Sequence, residues 1–241
     1  MCGRYQQLLP PEELARLYAV QREAWGRPYK WPNHNVAPRQ SVPVIHLHDG
    51  ERTARTMRWG FPPQWVRRQG KDPFNAPPLV NARAETAPDK RTWKAAVRTQ
   101  RCLVPTTGFY EWIRRGRKAL YPFHIARPDD ETEGSLLTLG GVWASFAWGD
   151  DPDKQDWPCM AILTAPPPAE VAPVHDRCPV VISPDDRDRW LDPDTPWDDV
   201  LAMMGAPDDG VLRLVEVSTK LNDRRSNGPE LMVADWSAAE L

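Results

Sequence analysis

The chain has 241 residues, 41% hydrophobic and 27% charged, with a formal net charge of −2. That balance fits a globular protein of one large or two small domains and supplies no overall field toward a polyanion, so nucleic-acid contact would need a local basic patch. No run approaches the length of a hydrophobic span and no basic flank leads into an apolar stretch, which argues against a membrane helix and a secretion signal.

The chain opens Met1-Cys2-Gly3-Arg4-Tyr5. With Met1 removed, Cys2 carries a free α-amine and a thiol on adjacent carbons. An α-amine titrates near ~7.7–8.0, so part of it is neutral and nucleophilic at physiological pH. The amine can attack an aldehyde to form an imine, which the thiol closes to a five-membered thiazolidine. Alternatively the thiol attacks an acyl carbon with the amine as its base. The other cysteines, Cys102, Cys159 and Cys178, sit in apolar or proline-bounded segments and read as core thiols. No CxxC pair or Cys/His cluster is present, so neither a metal nor another cofactor is expected, and the reducing cytoplasm implied by the missing signal disfavours disulfides.

Pro10 to Trp25 opens with prolines and acids and spaces Leu14, Leu17 and Tyr18 three and four apart, which predicts an amphipathic helix. "SVPVIHL" and "ARTMRWGF" read as strands around the turn "HDGE". Residues Arg67 to Pro78 form a loop by composition, and "APDKRTWKAAVRTQ" reads as a helix. Strand-like segments follow: "RCLVPTTGFYEWI", "LYPFHIA", "LLTLGGVWASF" and "PCMAILTA", with "GDDPDKQD" a solvated loop. "SPDDRDRWL" and "TPWDDVLAMM" start as capped helices, and "VLRLVEVS" is a late strand. The 27 prolines favour loops and edges over a helical bundle, and the strands do not alternate regularly with helices. The expected fold is α+β: one domain over 1–241 with a β-rich, barrel-like, mostly antiparallel core, a few peripheral helices and an irregular tail over about 226–241.

Several residues could support chemistry at Cys2. Asn81 and Arg83 in "VNARAET" share a face if extended; an amide can orient an amine, and an arginine can clamp phosphate. Glu111 in "GFYEW" lies among aromatic rings, which favours half-burial and a raised pKa. His175 in "VAPVHDRCPVVI" could move protons near neutrality. "MRWGFPPQW" puts Trp59, Phe61 and Trp65 beside Arg58, Arg67, Arg68 and Lys71, the mixture a single-strand groove uses. Arg114, Arg115, Arg117 and Lys118 make a second basic turn. Each piece has a plain structural alternative: a surface arginine at a turn, a solvent-facing strand glutamate, a satisfied loop histidine, core tryptophans.

In order, "MCGRY", "NVAP", "RWGF", "VNARAET", "RCLVPTTGFYEW", "LTAPP", "EVAPVHDRCPVVI" and "VSTKLNDRRSNGPEL" resemble the SOS-response-associated peptidase (SRAP) family, whose members process abasic sites in single-stranded DNA. The resemblance covers nearly the whole chain. It implies a compact α+β domain with a positive cleft, acting as a monomer on single-stranded DNA, including junctions with duplex. It implies that Cys2, exposed by loss of Met1, attacks the ring-opened sugar aldehyde and forms a stable thiazolidine crosslink, with strand cleavage and self-processing as further activities. The pattern assigns Asn81 to positioning the Cys2 amine. It assigns Glu111 to proton transfer, and His175 to proton transfer at the sugar oxygen and in crosslink reversal. Arg83 matches a phosphate contact, Thr164 a pocket-lining threonine, and Arg4, Pro38 and Trp65 positions that contact or wedge DNA. The loop from Val66 to Leu79 and "APPPAEVAP" are richer in proline than the pattern, and Cys178 replaces a larger residue after "HDR".

Glutamine-hydrolysing amidotransferases also begin Met-Cys-Gly, but their pattern continues with isoleucine where Arg4 stands, and no His-x-Arg-Trp is present. A non-catalytic DNA-binding module would leave Cys2 unexplained. Peptidase action on other proteins has no support beyond the removal of Met1.

Overall fold

The computed structural model describes residues 2–67, 71–116, 119–128, 136–147 and 156–240. The first elements are β1 (Tyr5–Gln7), α1 (Pro11–Leu17), β2 (Arg22–Ala24), β3 (Asn33–Val36), β4 (Ser41–His48) and β5 (Glu51–Trp59). There follow α2 (Gln64–Arg67), β6 (Asn81–Arg83), α3 (Lys94–Thr99), β7 (Arg101–Thr106), β8 (Gly108–Arg115) and β9 (Ala119–Ala126). The last are β10 (Leu137–Phe146), β11 (Trp157–Ala165), β12 (Cys178–Pro179), α4 (Arg187–Leu191), α5 (Trp197–Met203) and β13 (Arg213–Glu216).

The strands form two sheets. One runs β13-β9-β8-β1-β3; the other runs β12-β11-β10-β7-β4-β5-β2 with β6 attached to β11. A parallel pairing of β11 with β5 closes the path β11-β10-β7-β4-β5 on itself, which makes the barrel. Among the described residues only the pairs β11–β5, β11–β6 and β2–β5 are parallel; the rest are antiparallel.

Burial on both faces explains the near-continuous apolar runs of the barrel strands. On one side Val42, Val44, Met57, Trp59, Val104 and Ile162 pack with Tyr5, Phe109, Phe123 and Ile125 of the smaller sheet. On the other, Ile45, Leu103, Val142 and Leu163 pack with Leu14, Val97, Trp190 and Val200 from the helices.

Four expectations shift. The helix read over "APDKRTWKAAVRTQ" is confined to Lys94–Thr99, with turns over 87–93. The first helix stops at Leu17 rather than reaching Trp25: Ala19 has a φ of +46°, and residues 22–24 pair with β5 instead. "RCLVPTTGFYEWI" is two strands in different sheets, with Thr107 at the bend. The last helix starts at Trp197, with Pro196 as its extended cap, one residue later than a Thr195 cap would give. Ser183 caps its helical turn as expected, accepting from the Asp186 N–H. The segment after Gly228 is irregular but packed: Leu231 is buried against Tyr110, and the Trp236 indole donates to the Val217 carbonyl at 2.7 Å.

Arg101 begins β7 inside the protein. Its guanidinium donates to the carbonyls of Trp190 (2.6 Å), Val97 (3.0 Å), Arg98 (2.6 Å) and Asp192, tying α3 and α4 to the barrel. Replacing it leaves those buried acceptors without their donor, so Arg101→Met should cost about 2–4 kcal/mol. A urea unfolding midpoint equal to that of the wild type would refute this role.

Candidate active site at the N-terminus

β1 is only three residues long but is paired on both edges, Tyr5 with Val36 of β3 and with Phe109 of β8. The Tyr110 N–H adds a bond to the Arg4 carbonyl at 3.0 Å. The residues before β1 are thereby carried inside. Cys2 is completely buried, and the other three cysteines are buried too, so its place at the chain end does not leave it frayed. Its thiol lies 3.8 Å from the Arg4 carbonyl, and its own carbonyl accepts the Asn81 side-chain amide at 2.8 Å. Asn81 reaches it because β6 lies along β11, Asn81 opposite Ile162 and Arg83 opposite Thr164. Alternation within β6 buries Ala82 and sets Asn81 and Arg83 on the other side, with Arg83 exposed.

Glu111 faces inward from β8 and is 2% exposed. Burial, with the Asp176 charge added, pushes its carboxyl up to about 7. Its Oε2 lies 3.9 Å from His175 Nε2. Burial pushes the His175 imidazole down from its ordinary value. Burial first, and the Glu111 charge second, push the Cys2 thiol up. The thiol is therefore held neutral, within the electrostatic reach of a carboxyl poised near neutrality. Cys2, Asn81, Glu111 and His175 thus converge from the lead into β1, from β6, from β8 and from the loop before β12.

The remaining expected residues divide by exposure. Trp65 is 52% exposed, Arg83 is exposed and Pro38 is half-buried. Arg4 is turned inward: it donates to Asn35 Oδ1 at 2.6 Å and to the Leu221 carbonyl at 3.2 Å, and burial lowers its pKa to about 10. Asn35 in turn donates to the carbonyls of Asp223 (3.1 Å) and Ser226 (3.0 Å), so "MCGRY", "NVAP" and "LNDRRSN" meet in one network. Thr164 is buried, its hydroxyl 3.5 Å from the Ala82 carbonyl.

Arg58 does not face a groove. It donates to the Phe74 carbonyl at 3.1 Å and lies against the stacked rings of Phe74 and Trp157. Arg114 and Arg115 are exposed; the Arg67 side chain, Arg68, Arg117 and Lys118 lie outside the described residues. Cys178 is buried in β12, in the core as its position before an apolar strand suggests. Sequence reasoning passes over Glu85 and Arg177, although both stand inside quoted motifs. They form a two-bonded ion pair, 2.5 and 2.8 Å, between "NARAET" and "HDR".

Glu111 gives the site a measurable signature. Its folded pKa lies above the ordinary 4.5, so its protonated form stabilises the fold below that value, and the contribution is lost as pH rises through about 7. Relative to Glu111→Gln, the wild type should lose stability by about 3 kcal/mol between acidic and mildly alkaline buffer. Denaturant titrations of both proteins across that range check it, and a pH-independent difference would show that Glu111 does not titrate there.

The chain matches the family described as SOS response associated peptidase (SRAP) over residues 1–224. It is 28% identical over 234 residues to the abasic site processing protein YoqW of Bacillus subtilis (strain 168), covering 96% of this chain and 99% of that one. It is 28% identical over 277 residues to the abasic site processing protein HMCES of Xenopus tropicalis, covering 97% of this chain and 78% of that one. Its fold matches the crystal structure of a protein from Bacteroides thetaiotaomicron with a TM-score of 0.80 at 18% identity, covering 98% and 100% of the two chains. With the family matched across 1–224, including every motif that builds the cluster around Cys2, the chain belongs to the SOS response associated peptidase (SRAP) family.

Proposed function

We propose that this protein processes abasic sites by binding single-stranded DNA and forming a covalent thiazolidine with the lesion through Cys2. The observation that carries the reading is geometric: Asn81 holds the Cys2 carbonyl at 2.8 Å in the same cluster where the buried Glu111 carboxyl faces His175 at 3.9 Å. Relatives named abasic site processing proteins support the substrate class.

The chemistry follows from the protonation states. With Met1 in place the Cys2 nitrogen is an amide and cannot add to a carbonyl, so loss of Met1, by an aminopeptidase or by the protein itself, is the first requirement. The thiol is held neutral by burial and Glu111, which leaves the amine as the first nucleophile. It attacks C1′ of the ring-opened sugar, forming a C–N bond while the carbonyl oxygen takes a proton from the Glu111 carboxyl. The Glu111 carboxylate so formed takes a proton from the nitrogen and passes it to that oxygen, which leaves as water, and an iminium remains. The thiol then adds to the C=N bond: sulfur bonds to carbon, the π electrons settle on nitrogen as the thiazolidine N–H amine, and the sulfur's proton restores the Glu111 carboxyl. One water is lost overall, and no oxidant or metal is needed for the balance.

Asn81, bound to the Cys2 carbonyl, fixes the direction in which the amine points. His175 attends the sugar oxygen and returns its proton in reversal. Arg83 and Trp65, both exposed, take a phosphate and a base, with Pro38 as a wedge beside the lesion. Arg4 and Thr164 serve from below that surface as its frame. A monomer acting at single strands, or at their junctions with duplex, fits this arrangement.

The imine is also set up for β-elimination, so strand cleavage competes whenever the thiol is slow. An oligonucleotide with one abasic site should give a band that survives denaturing electrophoresis, absent in Cys2→Ala. Cys2→Ser keeps the amine, so it should give less stable adduct, more cleaved strand and an imine trapped by borohydride. Glu111→Gln should slow crosslinking by about 10²-fold. A Cys2→Ala protein that crosslinks like the wild type overturns the reading, and glutamine hydrolysis would establish an amidotransferase instead.

A further inference from the structure

His175 Nδ1 has two neighbours that cannot both be satisfied. The backbone N–H of Arg177 points at it at 2.9 Å, and Asp176 Oδ1 stands 3.0 Å away. An unprotonated Nδ1 accepts from Arg177 and places the ring proton on Nε2, the nitrogen that faces Glu111. A protonated Nδ1 donates to Asp176 instead and must give up the Arg177 bond. The partner of one ring nitrogen decides what the other can do.

The Arg177 side chain favours the first arrangement. Its guanidinium forks onto Glu85, Nη1 to Oε1 at 2.5 Å and Nη2 to Oε2 at 2.8 Å, and also donates to the Thr164 carbonyl. That carbonyl accepts the Ala84 N–H at 2.8 Å as well, so residues 84, 85 and 177 are knotted to the end of β11. Glu85 lies two residues past β6, so this knot joins the His175 loop to the strand that supplies Asn81 and Arg83. The fork matters geometrically, because two parallel bonds fix an arginine in orientation as well as place. The Arg177 side chain is 11% exposed and that of Glu85 46%, so one partner is accessible to substitution without opening the core.

We propose that Glu85 and Arg177 are positioning residues: their ion pair pins the Arg177 backbone, holds His175 as the Nε2–H tautomer facing Glu111, and keeps it in register with Asn81. Neither side chain touches the reacting atoms; both act through His175. The proposal rests on the crosslinking reading above for its catalytic meaning, while its structural content concerns the protein without DNA.

The experiment reads both parts. Nitrogen-15 shifts of the His175 ring, in protein without DNA, report which nitrogen carries the proton. The wild type should show a protonated Nε2 and an unprotonated Nδ1; Glu85→Gln and Arg177→Lys should move the proton toward Nδ1. Asp176→Asn added to Glu85→Gln should restore the wild-type pattern, because the competing carboxylate is gone and an amide can donate to Nδ1. Crosslinking rates at saturating single-stranded abasic DNA should fall by about 10-fold in Glu85→Gln and recover in the double variant. Non-covalent affinity, measured in a Cys2→Ala background, should stay within about twofold throughout. An unchanged tautomer in Glu85→Gln overturns the proposal, as does a rate loss matched by an equal loss of affinity. If Arg177→Lys does not fold, Glu85→Gln alone decides. A wild type that never crosslinks sinks the functional reading, and the ring-nitrogen shifts then still decide for or against the pair on their own.

Discussion

A chain terminus frays unless something holds it, and this protein depends on the hold it has on its first strand. Fixing a backbone residue costs roughly 1–2 kcal/mol in conformational entropy, so three short-strand residues need compensation from every side. β1 finds it by pairing with β3 and β8 at once, and by burying Tyr5 against Trp59 with ring centroids 5.1 Å apart. Asn81 then secures the residue that matters, binding the Cys2 carbonyl just upstream of the strand. Arg4 ties the same stretch to Asn35 and to the Leu221 carbonyl, so segments from the start, the first sheet and the end of the chain share one anchor. A nucleophile at a chain end is useful only when its position is known, and here the sheet supplies that position.

Burial that holds the terminus also sets its protonation. Taking Glu111 and the Cys2 thiol out of water disfavours both charged forms, and the Glu111 charge raises the thiol's pKa further. Desolvation is the larger cause for both groups, so the site rests as a neutral thiol beside a carboxyl near its midpoint. A carboxyl near 7 can give a proton to a departing oxygen and take one from sulfur within one cycle, which a surface glutamate near 4.5 would do poorly at neutral pH. Gly108 shows how closely the neighbourhood is packed: a Cβ there would stand 2.1 Å from His124 Nε2, so the strand that carries Glu111 needs a glycine at its first position.

The strands are legible in the sequence because they alternate or run apolar between turn residues; β4, β5, β9, β10 and β11 are where those patterns put them. The departures have specific causes. Leu14, Leu17 and Tyr18 keep helical spacing, but the pattern says nothing about Ala19 entering a positive φ or about the edge of β5 that recruits residues 22–24. Thr107 divides one apolar run between two sheets, and periodicity is blind to which neighbour a strand will meet. Asn81, Glu111 and His175 are visible through their motif settings. The burial of Cys2 has no sign in the sequence, because burial of a terminus depends on β3 and β8, far away in sequence. Arg58 reads as a groove cation because charge beside aromatic rings has two outcomes; packing on Phe74 and Trp157 chooses the inward one. Glu85 and Arg177 escape notice because an ion pair is a property of two places, and one sequence shows them 92 positions apart.

That separation explains why the site is assembled through strand registers. Asn81 and Arg83 take their places from parallel register against β11, and Glu111 takes its place from antiparallel register against β9, opposite Phe123. His175 has no ladder of its own; two residues after it, the chain is caught by Arg177, and three after it by β12. A one-residue slip in any of these ladders would turn a site residue to the opposite face. The barrel closure between β11 and β5, pairing Cys159 with Arg58 and Met160 with Trp59, resists that slip by holding β11 on a second edge. Precision at Cys2 is therefore inherited from the barrel, and β11 transmits it: through β6 to Asn81, and through the Thr164 carbonyl to Arg177 and the histidine loop.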